Sequence, residues 1–437
     1  QSNADRGERG SAMTAWATKR ITEESRTASM QQFCIEKMKE VRKRFAQQLQ
    51  LNDEKAREMI IEIIFDDPKT AMFSTEELNM IVDKIFFKTR SKQGILTPLI
   101  EDPEISEIMV NGPEHIFIEK KWQIVKSNLA FDSRNEMEDV MRAIVGEVHR
   151  EINERNPIVD ARLENGSRVH GDYDTVAING PILTIRKFLE RYMRLEDLIA
   201  NDTMTEEAGQ LLKLLVCCGY NIFVSGGTSS GKTTLLNALA AAIPSEERVI
   251  IVEDSMELKM DNLINVVHME CRNSNSAGLG RVSMSDLIRS SLRMRPDRII
   301  VGEVRGAEVM DMLNAMNTGH DGSLSTGHGN SAHGMLKRLE SMYLMAMPLD
   351  IEAIRAQIAE GIDIMVHIEK FADGKRKITE ISELSGYTEG QFQLKSLMER
   401  NEAGRLMMTG EKLGQIRKAR LKGVQYVQQL RQLGFIP

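Results

Sequence analysis

Residues 222–239 read IFVSGGTSSGKTTLLNAL, and this stretch decides the fold. The apolar run 222–224 predicts a buried strand, and the mostly apolar run 235–239 predicts a helix. Between them, residues 226–233 match the pattern G-x-x-x-x-G-K-[ST]. An ordinary glycine–serine loop does not need a strand before it and a helix after it. We therefore predict a strand–loop–helix unit in an α/β domain with a mostly parallel sheet.

The chemistry of this loop favours a phosphate ligand. Glycines let the backbone curl so that successive N–H groups point at phosphate oxygens, and the helix N-terminus adds positive potential. Lys232 can reach the outer phosphates of ATP, and the Thr233 hydroxyl can hold Mg²⁺. The predicted nucleotide-binding residues are Gly226, Gly227, Thr228, Ser229, Ser230, Gly231, Lys232, Thr233 and Thr234.

Two carboxylates follow predicted strands. Glu253 comes directly after the apolar run 249–252, and Glu303 comes shortly after the run 298–301. Because the C-terminal ends of parallel strands face one crevice, both side chains are expected beside the triphosphate. A single carboxylate after a strand is more often a helix cap. The loop at 226–233 favours the catalytic interpretation, because ATP hydrolysis needs carboxylates near the metal and the attacking water.

The stretch 318–328 places two histidines, His320 and His328, at the ends of a short predicted strand. Metal binding would need a third ligand nearby, and no residue at a recognisable spacing supplies one. We therefore favour a hydrogen-bonding histidine that senses the state of the phosphates, and we take His328 as the site residue.

The remaining pattern divides the chain into segments. Residues 1–30 are expected to be a tag remnant and a flexible start, and helical spacing of apolar residues predicts a small helical module at 31–92. Alternating runs and turn signals predict a mixed α+β domain at 93–188. Alternating strands and helices predict the α/β domain at 189–390, and a C-terminal tail with a helix follows at 391–437.

Within the mixed domain we predict two hairpins and one helix. The hairpins turn at 111–113 and 164–167, where Asn-Gly pairs stand between alternating runs. The helix is predicted to carry Val140, Ile144, Val148 and Ile152 on one face.

The composition disfavours several classes of protein. The formal net charge of −7 and the 5% aromatic content supply neither the basic excess nor the stacking surface that nucleic-acid binding uses. The four cysteines are too scattered for a disulfide framework or a zinc site. No run approaches the roughly 18 apolar residues of a spanning helix. A protein of the reducing cytoplasm is expected.

Taken together, these residues resemble a known family. Four stretches look like the Walker A, Asp box, Walker B and His box of secretion ATPases, in that order: 226–233, 253–254, 292–306 and 320–328. The resemblance covers roughly residues 95–385 and looks closest to the CpaF-like motors of tight-adherence (Flp) pili and related type II/IV systems. The lack of a four-cysteine zinc motif favours the tight-adherence or type IV branch.

The resemblance implies a RecA-like P-loop NTPase domain and a cytoplasmic homohexamer that uses ATP hydrolysis for pilus assembly or secretion. Such a motor associates peripherally with the inner membrane through platform proteins and does not bind nucleic acid directly. In this family picture Glu303 serves Mg²⁺, and the general base is left open between Glu253 and Glu303. Lys232 and His328 belong to the same catalytic set.

The family also implies that arginines outside the ATPase core help to bind the phosphates. Arg162 and Arg168 flank the turn at 164–167, and Arg186 follows shortly after; all three match such positions. The alternative is that they form the solvated face of a hairpin.

Two other functions remain as alternatives. A nucleic-acid translocase can also have a RecA-like core, but the composition disfavours it. A nucleotide-binding scaffold that does not hydrolyse ATP would have no need for Lys232, Thr233, Glu253 and Glu303 together.

Overall fold

A computed structural model describes residues 29–47, 51–120, 123–188, 192–272 and 280–437. The predicted tag and flexible start therefore lies outside the described residues up to residue 28. Internal contacts divide the chain into two units, Gln1–Leu189 and Glu190–Pro437. Both units combine helices with a sheet, and the chain has an α/β fold.

The first unit begins with helices. They are α1 (residues 29–45), α2 (Asp53–Phe65) and α3 (Thr75–Arg90), with a 3₁₀ helix at Pro68–Met72. Side-chain caps start them: Ser74 accepts a hydrogen bond from Glu77 N, and the Glu77 carboxylate accepts one from Ser74 N. Ile60 and Ile81, both fully buried, belong to the core that these helices share.

A six-stranded antiparallel sheet follows in the same unit. After a 3₁₀ turn at Gly94–Leu96 and α4 (Thr97–Glu101), the strands are β1 (Ile105–Asn111), β2 (Ile116–Lys120), β3 (Gln123–Lys126), β4 (Ile158–Arg162), β5 (Arg168–Asp172) and β6 (Ile182–Arg186). Their order in the sheet is β3-β2-β1-β6-β5-β4. Both predicted hairpins are confirmed, because β1 pairs with β2 and β4 with β5.

The predicted helix of this unit is shorter than its apolar pattern suggested. Helix α5 spans Arg134–Gly146, so Val140 and Ile144 lie on its buried face, but Val148 and Ile152 lie beyond its end. The chain leaves the helix at His149, whose φ of +57° is left-handed. Ile152 still reaches the core from the following loop.

The second unit contains a nine-stranded sheet. The strands are β7 (Ile222–Gly226), β8 (Arg248–Glu253), β9 (Asn265–Glu270), β10 (Arg298–Val304), β11 (Leu324–His328), β12 (Ile364–Lys370), β13 (Arg376–Thr388), β14 (Gln391–Arg400) and β15 (Leu406–Met408). Their order is β15-β14-β13-β12-β7-β11-β10-β8-β9. From β12 to β9 all neighbours are parallel, and from β15 to β12 they are antiparallel.

Helices cover this sheet. They are α6 (Leu195–Ala200), α7 (Glu206–Cys218), α8 (Lys232–Ala240), α9 (Met284–Ser291), α10 (Val309–Asn317), α11 (Ala332–Ala346), α12 (Ile351–Gly361), α13 (Arg417–Lys422) and α14 (Val424–Gln432). Two apolar cores flank the central strands, which explains why those strands are apolar almost throughout. The apolar runs 222–224, 249–252 and 298–301, which predicted strands, lie within β7, β8 and β10.

The residues of the predicted C-terminal tail at 391–437 pack within the second unit. Strand β14 extends the main sheet, and the last helices pack against α7 within the second unit. The segment is held by buried carboxylates: Glu383, 1% exposed, accepts hydrogen bonds from Gly414 N and Gln415 N. Lys418 Nζ bonds Asp363 at 2.6 Å. The pattern of the tail alone could not reveal these contacts, because the carboxylates lie elsewhere in the chain.

A buried arginine fixes the start of β10. Arg298 is 1% exposed, forms a salt bridge with Glu247, and donates a hydrogen bond to Val216 O at 2.6 Å. Gly322 lies against its guanidinium: a Cβ at this position would stand 2.6 Å from Arg298 Nη1. The same strand carries Glu303 at its other end.

We expect Gly322→Ala to destabilise the protein more than Gly319→Ala. Both glycines have a left-handed φ, +83° and +96°, but no atom lies within 4 Å of a Cβ at Gly319. Gly319→Ala should therefore cost only the backbone strain, about 1–2 kcal/mol. Gly322→Ala should cost about 1–3 kcal/mol more, because Arg298 cannot move freely. Urea unfolding of the two variants measures the difference, and equal losses would contradict this account of Arg298.

Candidate functional site

The predicted site residues meet at one edge of the parallel sheet. Strands β7, β11, β10 and β8 are neighbours, and their C-terminal ends carry Gly226, His328, Glu303 and Glu253. Gly226 pairs directly with His328 across β7 and β11. The nine predicted nucleotide-binding residues run from the end of β7 through the loop 226–233 into the first turn of α8.

The path of the loop is set by a close approach of two backbones. A Cβ at Gly226 would overlap the carbonyl oxygen of Ile368 on β12 and stand 2.5 Å from Ser230 Oγ. Ser229 and Gly231 adopt left-handed φ values of +56° and +95°. Helix α8 then begins at Lys232, so the backbone N–H groups of its first turn, which have no acceptor within the helix, face the loop.

Lys232 and His328 link the loop to Glu303. Lys232 is 6% exposed, and its Nζ donates a hydrogen bond to Gly227 O at 2.8 Å. The same Nζ lies 3.3 Å from His328 Nδ1, and His328 Nε2 lies 2.8 Å from Glu303 Oε1. Arg305 contacts the other oxygen of Glu303 at 3.1 Å. The Lys232 ammonium group, the His328 imidazole and the Glu303 carboxylate are thus in consecutive contact.

The protonation of His328 follows from its surroundings. Burial lowers the pKa of this imidazole from its usual 6.5, while the charge of Glu303 raises it. The net pKa lies below 6.5, so the ring is mostly neutral at pH 7. An unprotonated Nδ1 of a neutral ring can accept a hydrogen bond from Lys232 Nζ. The contact of Nε2 with Glu303 Oε1 is close but lacks hydrogen-bond geometry, because that oxygen has no hydrogen-bond partner among the described residues.

Glu253 is held differently from Glu303. Its side chain is buried, and Oε1 accepts hydrogen bonds from Glu257 N at 2.9 Å and Leu258 N at 3.0 Å. Gly302 makes room for it, because a Cβ there would lie 2.9 Å from Glu253 Cγ. Backbone amides therefore position Glu253, whereas the side chains of His328 and Arg305 contact Glu303.

One buried polar atom of the loop lacks a protein partner. Ser230 Oγ has no hydrogen bond among the described residues, although Ser230 is only 1% exposed. Buried hydroxyls normally have a partner. An orphaned hydroxyl, backbone N–H groups at a helix start and a lysine are the donors that a phosphate group requires.

The two histidines of the 318–328 stretch do not act together. His320 lies at the opposite end of β11 from His328, where its Nδ1 is 3.1 Å from Ala315 O. Within the described part of the chain, no group of three or more His, Cys, Asp or Glu residues could hold a metal ion.

The described helices also include none that is long and apolar enough to cross a membrane.

The sequence pattern did not predict two residues that lie near the loop. His367, 3% exposed on β12, has its Nδ1 2.8 Å from the hydroxyl of Ser225, the residue just before the loop. Arg376 on β13 donates a hydrogen bond from Nε to Ser229 O at 3.2 Å. Only the register of β7 with β12 and β13 brings them here.

The three predicted arginines form a row in the first unit. Arg162 pairs with Arg168 across β4 and β5, and Arg168 pairs with Arg186 across β5 and β6. Directly opposed residues of antiparallel strands lie on the same face, so the three guanidinium groups share one side of the sheet. Glu107 on β1 is the next partner of Arg186, and burial raises the pKa of Glu107 while Arg186 lowers it.

Comparisons with known proteins agree with this architecture. Over residues 89–395 the chain matches the family described as type II/IV secretion system protein. It is 32% identical over 306 residues to a putative conjugal transfer protein of Mycobacterium tuberculosis, covering 69% of this chain and 86% of that protein. It is also 32% identical over 315 residues to the type IV secretion system protein PtlH of Bordetella pertussis, covering 65% of this chain and 92% of PtlH.

A solved structure is similar in fold. The crystal structure of the pilus retraction motor PilT with bound ADP matches with a TM-score of 0.50 and 19% identity, over 78% of this chain and 89% of that one. At this identity the likeness concerns the fold alone.

We expect His367→Gln to reduce the loss of stability in acid. Burial lowers the pKa of His367 below 6.5, against the raising effects of Glu369 and Glu380. The unfolded chain therefore binds the proton more tightly, and the wild type loses stability as pH falls below about 6.5. Glutamine can keep a hydrogen bond to Ser225 but does not titrate. Thermal unfolding between pH 7.5 and 5.5 measures this, and parallel curves for the two proteins would disprove it.

Proposed function

The chain belongs to the type II/IV secretion system protein family, and from this premise we propose that it is an ATP-hydrolysing motor that powers pilus assembly or protein secretion across the cell envelope. One observation carries the proposal. Lys232, His328 and Glu303 meet beside a loop that begins a helix, and Glu253 lies on the neighbouring strand. Binding of phosphates alone would not require two carboxylates at this edge.

In this proposal the second unit is a RecA-like P-loop NTPase domain, preceded by a mixed α+β domain and a helical module. Residues 226–233 hold the phosphates of ATP through the backbone N–H groups of the loop. The orphaned Ser230 hydroxyl and the Lys232 ammonium add donors at the same place. The close packing of Gly226 against β12 keeps the loop in the shape that this binding needs.

The residues for a magnesium ion are also present. Thr233, in the first turn of α8, and Glu303 are the proposed ligands, since a hydroxyl and a carboxylate are hard oxygen donors. Mg²⁺ bound there would neutralise phosphate charge during transfer. The general base is one of the two carboxylates, Glu253 or Glu303.

His328 connects Lys232, which lies beside the proposed phosphate-binding loop, to the carboxylate of Glu303. Lys232 is in contact with His328, and His328 is in contact with Glu303. A change in what Lys232 binds therefore alters the field at Glu303 through one imidazole. This is the role proposed for the histidine as a sensor of the phosphate state.

The arginine row of the first unit is proposed to stabilise the transferred phosphoryl group. Arg162, Arg168 and Arg186 are directly opposed on neighbouring strands, so this face of the sheet presents three guanidinium groups to an anionic ligand. An arginine supplied to a phosphoryl-transfer site can accelerate the reaction about 1,000-fold or more.

The working assembly in this proposal is a cytoplasmic homohexamer of the CpaF-like, tight-adherence type. Inner-membrane platform proteins of a pilus or secretion system would be its partners, with peripheral membrane association through them. The names of the relatives, a conjugal transfer protein and a type IV secretion system protein, support a role in an envelope-spanning machine.

Lys232→Ala should lower ATP turnover about 100-fold or more while the protein stays folded. The ammonium group serves the loop and its ligand rather than an apolar core. Lys213→Ala is the matched control, because Lys213 is an exposed lysine of α7 in the same unit. Phosphate release with Mg-ATP measures turnover. Wild-type turnover in a folded Lys232→Ala protein would refute the proposed site.

Mixed assemblies test whether the arginines act on a neighbouring subunit. Lys232→Ala subunits have a defective loop, and Arg168→Ala subunits have a defective row. If Arg168 acts between subunits, rings containing both should hydrolyse ATP better than either parent. Mixing Lys232→Ala with the double variant Lys232→Ala/Arg168→Ala is the control and should recover nothing. No recovery in rings shown to be mixed means that Arg168 does not act in trans.

A further inference from the structure

A cavity of about 510 Å³ lies beside the loop 226–233. Gly227 and Thr228 form one wall, and the connection from β11 into α11 forms another, with His328 and Asn330. Arg338 of α11 completes the lining. Among the described residues that line this cavity, none carries a carboxylate.

The geometry of α11 directs Arg338 toward this cavity. Gly334 and Arg338 are four residues apart in the helix and therefore lie on the same face. Helical side chains lean toward the helix N-terminus. Gly334 and Arg338 both line the cavity, and a Cβ at Gly334 would meet only Ser331 Oγ, so the surface in front of Gly334 is open. The helix begins beside the cavity, where Ser331 Oγ accepts a hydrogen bond from Gly334 N at 2.9 Å.

The charge of Arg338 is uncompensated. Its side chain is exposed and forms no salt bridge or side-chain hydrogen bond with any described residue. It is nevertheless close enough to act on the histidine of the site. Burial is the main cause of the lowered pKa of His328, and the charges of Lys232, Arg305 and Arg338 lower it further. A cavity with Arg338 in its wall, near Lys232, and without a carboxylate suits an anion.

We propose that Arg338 binds the terminal phosphoryl group of the nucleotide and thereby distinguishes a nucleoside triphosphate from a diphosphate. This inference rests on the proposed nucleotide site at the same loop. The guanidinium group can donate two parallel hydrogen bonds to phosphate oxygens, and it stays charged at any pH at which the protein is folded. A diphosphate held by the loop lacks the group that Arg338 would contact.

The test compares two nucleotides in one protein. Isothermal titration calorimetry of the full chain with Mg-ATPγS and with Mg-ADP gives both affinities. Arg338→Gln should weaken ATPγS binding at least about tenfold, since a hydrogen bond to a charged group is lost, and should leave ADP binding within about twofold. Arg338→Lys keeps the charge and should restore part of the preference for ATPγS.

Lys337→Gln is the matched control, because it removes the same charge from the preceding residue of α11, which does not line the cavity. It should leave both affinities unchanged. Equal weakening of ATPγS and ADP in Arg338→Gln, no weakening of either, or the same selective loss in Lys337→Gln would each overturn the inference. If the wild type binds neither nucleotide and does not hydrolyse ATP, the proposed function itself is wrong. Measurements on the wild type alone identify that case, without any variant.

Discussion

The backbone of β12 passes so close to Gly226 that a side chain there would overlap the Ile368 carbonyl. This contact depends on β7 lying directly beside β12 in the parallel part of the sheet. It fixes the point where the chain leaves β7, and the left-handed Ser229 and Gly231 then return it into α8. The position of Lys232 follows from that path. The nucleotide site that we propose is therefore a product of strand packing as much as of its own sequence.

Glu253 and Glu303, the two carboxylates at this edge of the sheet, are held by different kinds of partner. Glu253 is buried and accepts hydrogen bonds from two backbone N–H groups, which keep its side chain in one place. Glu303 contacts His328 and Arg305, whose positions depend on side-chain rotamers. A rigid carboxylate and an adjustable one, side by side, allow one group to stay fixed while the other responds to the ligand.

The sequence predicted those parts of the fold that local pattern controls. Apolar runs such as 249–252 predicted the central strands. Because these strands were expected to be parallel, Glu253 and Glu303 were expected at the same edge of the sheet. It could not predict contacts that arise from register between distant segments. His367 lies beside Ser225 because β12 pairs with β7, although 142 residues separate the two in the chain.

The same limit explains where α5 ends. The apolar spacing continued past Gly146, but the left-handed turn at His149 ended α5 while Ile152 still reached the core. The partners of the C-terminal residues, Glu383 and Asp363, also belong to other elements, so the pattern of the tail does not reveal them. Apolar periodicity reports burial more reliably than it reports where a helix stops.

These anchors give the last helices a part in the sheet itself. Glu383, Asp363 and Glu247 are three carboxylates with little exposure, and each takes a hydrogen bond or a cation from the segment after residue 411. Without that segment, these carboxyl groups would lose partners inside the protein, and a buried polar group without a partner is costly. The C-terminal segment thus supplies lysines to Asp363 and Glu247 and backbone N–H groups to Glu383. Sequence change there is constrained by electrostatics inside the protein, even though most of its side chains face water.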